Sequence, residues 1–314
     1  MNNIVYKISK NLEKEMIEHY KSTSKKVAPP YTVFQSIDAG TTVTLYQSGK
    51  VMFQGISADI DYAWWRDREK HLNDRDIDRE LADEKRKKEK KNHTDEIIRM
   101  RYINTVGSDE VGTGDYFGPI VVCASYVTKN DAEFLENLHV RDSKKLSDTV
   151  ILDIAPKISK RITYTLLKVS PKEYNDEGIT NMNKVKAILH NKAIASLLTK
   201  IPKTYDEIII DQFAPPDKYY EHIKDATNII KNIHFMTKAE DKCLSVAVSS
   251  IIARYEFLME MKNLSEKYGM TIPKGANPLV DEFGKEFVAK YGFDELINVA
   301  KLNFKNTEKI KKPN

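Results

Sequence analysis

Asp109 and Glu110 stand side by side in GSDEVGTGDYFGP (107–119), directly after the apolar run YINTV. Two further acids stand at comparable places: Asp211 directly after Ile208-Ile209-Ile210, and Glu240 in Lys238-Ala239-Glu240, between an apolar run ending near Met236 and a long helical stretch. Strand ends are where α/β sheets open a crevice for ligands. Several anions gathered there are tolerable only around a cation, and oxygen-only donors favour Mg2+ or Mn2+ over zinc. Two such ions, about 4 Å apart, would activate a water and stabilise the leaving oxygen of a phosphodiester. Neighbouring strand residues point to opposite faces, so Asp109 and Glu110 reach one metal region only if the backbone turns at the strand end.

Each of these residues also has an ordinary reading. A strand-terminal aspartate caps turns, Lys238-Ala239-Glu240 places a charge that complements a helix dipole, and Gly112-Thr113-Gly114 makes a tight turn. The glycines form neither a P-loop nor a dinucleotide fingerprint, because no Gly-Lys-Ser/Thr follows and the spacing differs. Residue chemistry alone leads to a two-metal phosphodiester enzyme. His190, His222 and His234 lack ligand-like spacing and are expected in structural or surface roles.

The elements that must position the acids are legible from periodicity. INTVGSD (103–109), GPIVVCASYV (118–127), RITYTLLKVS (161–170) and NIIKNIHFM (228–236) read as strands, and YDEIIIDQF (205–213) reads as a buried central one. MNKVKAILHNKAIASLLTK (182–200) has helical spacing, and KAEDKCLSVAVSSIIARYEFLMEMK (238–262) reads as one long helix whose VSSII supplies small residues for close packing. Strands mixed with helices in this order predict a three-layer α/β domain with a mixed sheet.

Ahead of it, YTVFQSI (31–37) and TTVTLYQ (41–47) alternate as half-buried strands, and SGK leads into VMFQG (51–55) as a hairpin. A helix near residues 10–23 precedes them. Tyr31, Phe34, Tyr46, Lys50 and Phe53 form a candidate basic, aromatic surface for nucleic acid, or else part of the core. Between the two parts, residues 66–92 are almost devoid of apolar side chains and dense in both charges, which predicts a linker or a solvated, partly helical tether. The expected organisation is a module over 1–65, a charged linker over 66–92 and a catalytic domain over 93–314.

The 314 residues carry a net charge of +4, which permits a polyanionic partner without demanding one. Cys123 and Cys243 sit in apolar surroundings, outside any CxxC pair, and read as reduced core residues. No run reaches the roughly 18 apolar residues of a membrane span, and the N-terminus lacks a signal-peptide apolar core. The expectation is a cytoplasmic protein.

Set together, GSDEVGTGDYFGP, RDSKKLSD (141–148), IIIDQF (208–213), KAEDKCLSVAVSSIIAR (238–254) and YGFDELINVAKLNFKNTEK near the C-terminus resemble the type 2 ribonucleases H, on the ribonuclease HIII side of that family. The N-terminal YQSGKVMFQG resembles the TATA-binding-protein-like substrate-binding domain that accompanies it. The resemblance implies an RNase H-like catalytic domain behind a small α+β module. It also implies endonucleolytic cleavage of RNA in RNA–DNA hybrids, leaving 5′-phosphate and 3′-hydroxyl ends. Asp109, Glu110, Asp211 and Glu240 carry over as the catalytic, metal-binding acids for Mg2+ or Mn2+, with two ions expected during catalysis. Gly112, Thr113 and Gly114 fall where ribonuclease HII enzymes show Gly-Arg-Gly, a motif that helps recognise a ribonucleotide–deoxynucleotide junction. Thr113 therefore favours stretches of RNA over a single embedded ribonucleotide. Glycine lets backbone approach a ribose closely, and the 2′-hydroxyl is what separates RNA from DNA. Ser143, Lys144 and Lys145 are candidate phosphate contacts. The expected partner is the hybrid alone, with a monomeric chain and no membrane or obligate protein partner. The competing readings are a DNA-cutting nuclease of the same fold, such as a junction resolvase, and a non-catalytic hybrid-binding protein. The glycine and DSKKL motifs argue against the first, and four retained acids argue against the second.

Overall fold

The computed structural model describes residues 3–140, 145–178 and 181–311. The chain divides into two compact units, Met1–Asn92 and His93–Asn314.

The first unit runs β1 (Asn3–Lys7), α1 (Lys10–His19), β2 (Thr32–Asp38), β3 (Thr41–Tyr46), β4 (Lys50–Gly55) and α2 (Ala58–Asn73), and then enters α3 (Ile77–Arg101). Its four strands form an antiparallel sheet in the order β1-β4-β3-β2. Period-two alternation sorts the side chains. Tyr6, Phe34, Val43, Leu45, Val51 and Phe53 join Leu12, Met16 and Trp65 in one core. Trp65 Nε1 donates to the Tyr20 hydroxyl at 2.8 Å, whereas its neighbour Trp64 is 53% exposed. Of the aromatics that the sequence left between surface and core, Phe34 and Phe53 belong to this core and Tyr31 is 82% exposed. The opposite sheet face carries Val5, Lys7, Lys50 and Gln54, with Lys7 and Lys50 directly paired across β1 and β4.

The charged stretch 66–92 is helical, in α2 and α3. Glu69 is fully buried and receives Arg75 Nη1 at 2.8 Å, and Ile77 is 1% exposed in the core of the first unit. The boundary expected after residue 65 thus falls inside α2. Scarcity of apolar residues misleads here because ion pairs, such as Arg66–Asp78 at 2.9 Å and Arg75–Glu80 at 2.7 Å, satisfy the charges of packed helices.

The second unit contains β5 (Thr105–Val111), β6 (Ile120–Val127), α4 (Ala132–Asn137), α5 (Asp148–Ser159), β7 (Thr163–Val169), α6 (Pro171–Asp176), α7 (Met182–Leu198), β8 (Glu207–Asp211), α8 (Pro216–His222), β9 (Ile233–Met236), α9 (Ala239–Lys242), α10 (Leu244–Tyr268), α11 (Pro278–Tyr291) and α12 (Lys305–Lys311). The sheet order is β7-β6-β5-β8-β9, antiparallel from β7 to β5 and parallel from β5 to β9. This is a mixed sheet, as the order of strands and helices in the sequence predicts. One face packs on α10 through Val121, Cys123, Ala247, Val248 and Ile251. The other packs on α7 through Val106, Val122, Ala187, Ala193 and Ile194.

α10 lies unusually close to β5. A Cβ on Gly107 would stand 2.3 Å from the backbone nitrogen of Val246, so only glycine admits this approach. Hydroxyls sew the seam: Ser249 Oγ donates to Gly107 O at 3.0 Å and Ser125 Oγ to Ser245 O at 2.7 Å. The helix expected over 238–262 is broken. Cys243 adopts an extended conformation (φ −119°, ψ 119°) and separates the one-turn α9 from α10.

Candidate active site

Parallel pairing of β5 with β8 places Ser108 opposite Ile210. One residue further along each strand stand Asp109 and Asp211, so two aspartates mark the same end of neighbouring strands. The Asp211 side chain is fixed by its surroundings: its Oδ1 accepts the backbone N–H of Ala239 at 2.9 Å, at the entrance to α9. The next residue in α9 is Glu240, which is 1% exposed. Lys238, with φ of +53°, makes the left-handed turn that leads into this helix. The fourth acid thus follows directly on the residue whose N–H holds the third.

Asp109 faces α10. Its Oδ1 accepts the Glu110 N–H at 2.8 Å, and the Ser250 hydroxyl also hydrogen-bonds it. Burial, then the charges of Glu110 and Asp211, push its carboxyl well above the usual carboxylate range, against the pull of those two hydrogen bonds.

Glu110 faces the other way. β5 continues through Val111 without turning at the acid pair, so strand alternation sends Glu110 to the α7 side. There its Oε1 pairs with Lys186 Nζ at 2.5 Å and its Oε2 meets His190 Nε2 at 2.8 Å. Burial alone would raise this carboxyl, but His190 and Lys186 outweigh it and hold Glu110 low. The network continues from His190 Nδ1 to Ser108 Oγ at 2.7 Å and from that hydroxyl to Cys123 O at 2.8 Å. Phe213 backs it, stacked on His190 with ring centres 5.6 Å apart and lying 4.2 Å from Lys186 Nζ.

Among the described residues, no three carboxylate, histidine or cysteine side chains form a ready-made metal cluster. The division of β5 accounts for this, since Glu110 is engaged by α7 while Asp109 turns toward α10. The donor set is nonetheless that of a hard cation. It offers oxygen donors alone, the Asp109 carboxylate with the Ser250 hydroxyl against it and the Asp211 carboxylate on the neighbouring strand.

The glycine turn leaves β5 directly. Gly112 has φ of +93° and is buried, and a Cβ there would meet the Pro119 carbonyl oxygen at 2.1 Å. Gly114 is exposed, with nothing within 4 Å of a Cβ built on it. Gly112 thus shapes the turn, and Thr113 and Gly114 present it. Of the expected phosphate contacts, Lys145 is exposed, while Ser143 and Lys144 lie outside the described residues. The stretch after them is anchored by Asp148, which accepts from Arg254 Nη2 at 2.6 Å and from Lys274.

Lys186, His190, Phe213 and Ser250 were not singled out from the sequence as site residues. A signal existed for two of them: Lys186 and His190 are four apart, hence on one face of a helix. Nothing in the sequence said that this face covers Glu110.

A family model described as Ribonuclease HII matches residues 106–307. A second, described as a domain of unknown function, matches residues 3–74. Over 323 aligned residues the chain is 41% identical to a Ribonuclease HIII of Bacillus licheniformis, covering 99% of this chain and 98% of that one. It is likewise 41% identical to the Ribonuclease HIII of Bacillus subtilis, over 99% of this chain and 98% of the other. The fold is similar to the crystal structure of Bst-RNase HIII in complex with Mn2+, with a TM-score of 0.67, 34% identity and 98% of each chain covered.

Proposed function

Because the chain belongs to the ribonuclease HII family, within its ribonuclease HIII branch, we propose that the acids at the ends of β5 and β8 carry divalent-metal-assisted hydrolysis of the RNA strand in RNA–DNA hybrids. The chain is an RNase H endonuclease acting on such hybrids. The observation that carries the site assignment is the register of β5 against β8, which brings Asp109 and Asp211 to one strand end, with Ala239, the neighbour of Glu240, bonded to Asp211.

In this reading Asp109, Asp211 and Glu240 would hold the metal, Mg2+ or Mn2+, with two ions engaged during cleavage, and Glu110 would join them only by leaving Lys186 and His190 on the far face of β5. Bound there, the ions supply an activated water and charge stabilisation at the leaving oxygen, which leaves a 3′-hydroxyl and a 5′-phosphate. The chain's own residues do the positioning. Ala239 N–H and Ser250 orient Asp211 and Asp109, and Lys186 and His190 hold Glu110 ionised on the far face of β5. The Thr113–Gly114 edge of the turn presents backbone to a ribose, and Lys145 lies on the phosphate side of the substrate. The open sheet face of the first unit serves as a hybrid-binding surface. Its like-charged Lys7–Lys50 pair would be unfavourable alone and suits a polyanion.

The test is cleavage of a long hybrid labelled on either strand. The wild-type protein is expected to cut RNA and spare DNA. Asp109→Asn and Asp211→Asn should each lower turnover by at least roughly a thousandfold, since metal-based stabilisation is worth several kcal/mol, with hybrid binding retained. Near-normal turnover in either variant with Mg2+ would remove the residue from the site.

A further inference from the structure

The C-terminal motif contains a charge that the reaction above leaves unused. Lys301 is fully buried. Its Nζ donates to the carbonyl oxygen of Gly118 at 2.6 Å, and it lies 5.9 Å from the centre of the Phe304 ring. The Lys301 backbone N–H donates to Tyr116 O at 2.9 Å, and Gly118 N–H donates to Val299 O at 2.8 Å. Tyr116 is tied to the same C-terminal segment through its hydroxyl, 3.0 Å from Thr307 Oγ1. Four bonds therefore stitch residues 116–118 to the chain from Val299 to Thr307.

The stitched stretch is the return leg of the glycine turn. Gly118 has φ of +83°, and a Cβ there would meet Met261 Sδ at 2.4 Å, so its position has no slack. The next carbonyl, that of Pro119, packs against the Cα of Gly112, where the turn begins. Contact thus runs without a gap from the Lys301 ammonium through Gly118 and Pro119 to Gly112, and so to Thr113 and Gly114. Filling this space needs no charge. A buried ammonium costs several kcal/mol of desolvation, and an apolar side chain of similar length would fill the same volume without it. The Nζ group, protonated or not, is a donor directed at one carbonyl, which an apolar side chain cannot supply.

We propose that Lys301 is a positioning residue for substrate discrimination, fixing the Gly112–Gly114 turn, through Gly118 and Pro119, at the height where it reads the ribose of the cleaved strand. This rests on the reading of that turn as the ribose-contacting element, and the experiment separates the two ideas. The readout is the ratio of kcat/KM on an RNA–DNA hybrid to that on the same hybrid with 2′-fluoro sugars in place of the ribose. A lysine that merely supports the fold would lower both values together and leave the ratio in place.

Lys301→Met keeps the volume and removes the donor, so the protein should stay folded while the ratio falls about tenfold or more, the scale on which small misplacements act. Lys301→Arg keeps a buried donor and should hold the ratio within about threefold of wild type. A folded Lys301→Met protein with the wild-type ratio would overturn the proposal. So would a Lys301→Arg protein that loses the ratio as fully as the methionine variant does. Gly114→Ala, placed in open space, tests the turn itself. If it lowers the ratio while Lys301→Met does not, only the role of Lys301 falls. If it leaves the ratio unchanged, the turn does not read the sugar, and the proposal falls with it.

Discussion

Between Gly107 and Glu110 the side chains of β5 alternate between two helices, and the chemistry divides with them. Gly107 and Asp109 meet α10, while Ser108 and Glu110 meet His190 and Lys186 on α7. The sequence displayed the two acids and the rule that neighbours face apart, but the turn expected to reunite them does not occur at that point. Lys186 and His190 were illegible for another reason: their partners lie 76 to 82 residues away in the chain, and helical spacing names a face without naming what it covers. Lys301 was hidden in the same way, since a lysine in a polar C-terminal stretch reads as solvated. Its burial is measurable through pH. Burial pushes the Lys301 ammonium down to about 7, partly opposed by Asp115, whereas an unfolded lysine titrates near 10.4. Between those values the unfolded chain holds the proton that the folded chain has released, so stability rises with pH across that window and is lowest below it. The difference in thermal midpoint between wild type and Lys301→Met should therefore move in favour of wild type from pH 6.5 to 9.5. A difference that stays flat would mean that the ammonium is solvated.

At the scale of elements, periodicity was a sound guide to strands and a poor one to helix continuity. β6, β7, β8 and β9 all fall within runs that alternation or apolarity marked out, and β5 begins in its run but continues two residues past it, through Glu110 and Val111. The break at Cys243 carried no proline or glycine to announce it, yet it ends α9, the single turn whose entrance at Ala239 holds Asp211. The charged stretch 66–92 misled because composition counts apolar residues and cannot count the ion pairs that let Glu69 be buried. The seam between β5 and α10 is also the place most vulnerable to a single methyl group. Gly107→Ala would drive Cβ into the backbone of α10, with Val246 N at 2.3 Å and Ser245 C at 2.4 Å. Backbone cannot swing aside as a side chain can, so the cost should be about 3 kcal/mol or more, at the upper end for overpacked cores. Chemical denaturation of the variant checks it, and a loss under about 1 kcal/mol would show that the helix yields freely.

For the whole molecule, a net charge of +4 left the polyanionic partner undecided, and the paired lysines on the first unit's open sheet face speak to it more directly. Reversing both, as Lys7→Glu with Lys50→Glu, should weaken hybrid affinity and flatten its salt dependence by roughly one unit of slope for each phosphate that is no longer neutralised. The cleavage rate at saturating substrate should stay at the wild-type value. An unchanged salt slope would take the hybrid off this face.

The placement of Trp64 and Trp65 has an optical consequence. They are the only two tryptophans in the chain, and both lie in the first unit, one exposed and one buried against Tyr20. Indole emission is therefore blind to the catalytic unit and reports on the first unit alone. Titrating hybrid into the metal-free protein while watching that emission would tell whether binding is felt at α2, on the sheet face opposite Lys7 and Lys50, uncoupled from strand scission and with no label attached. The same signal, followed through a denaturation beside one that senses every helix, would reveal whether the two units melt as one or in turn.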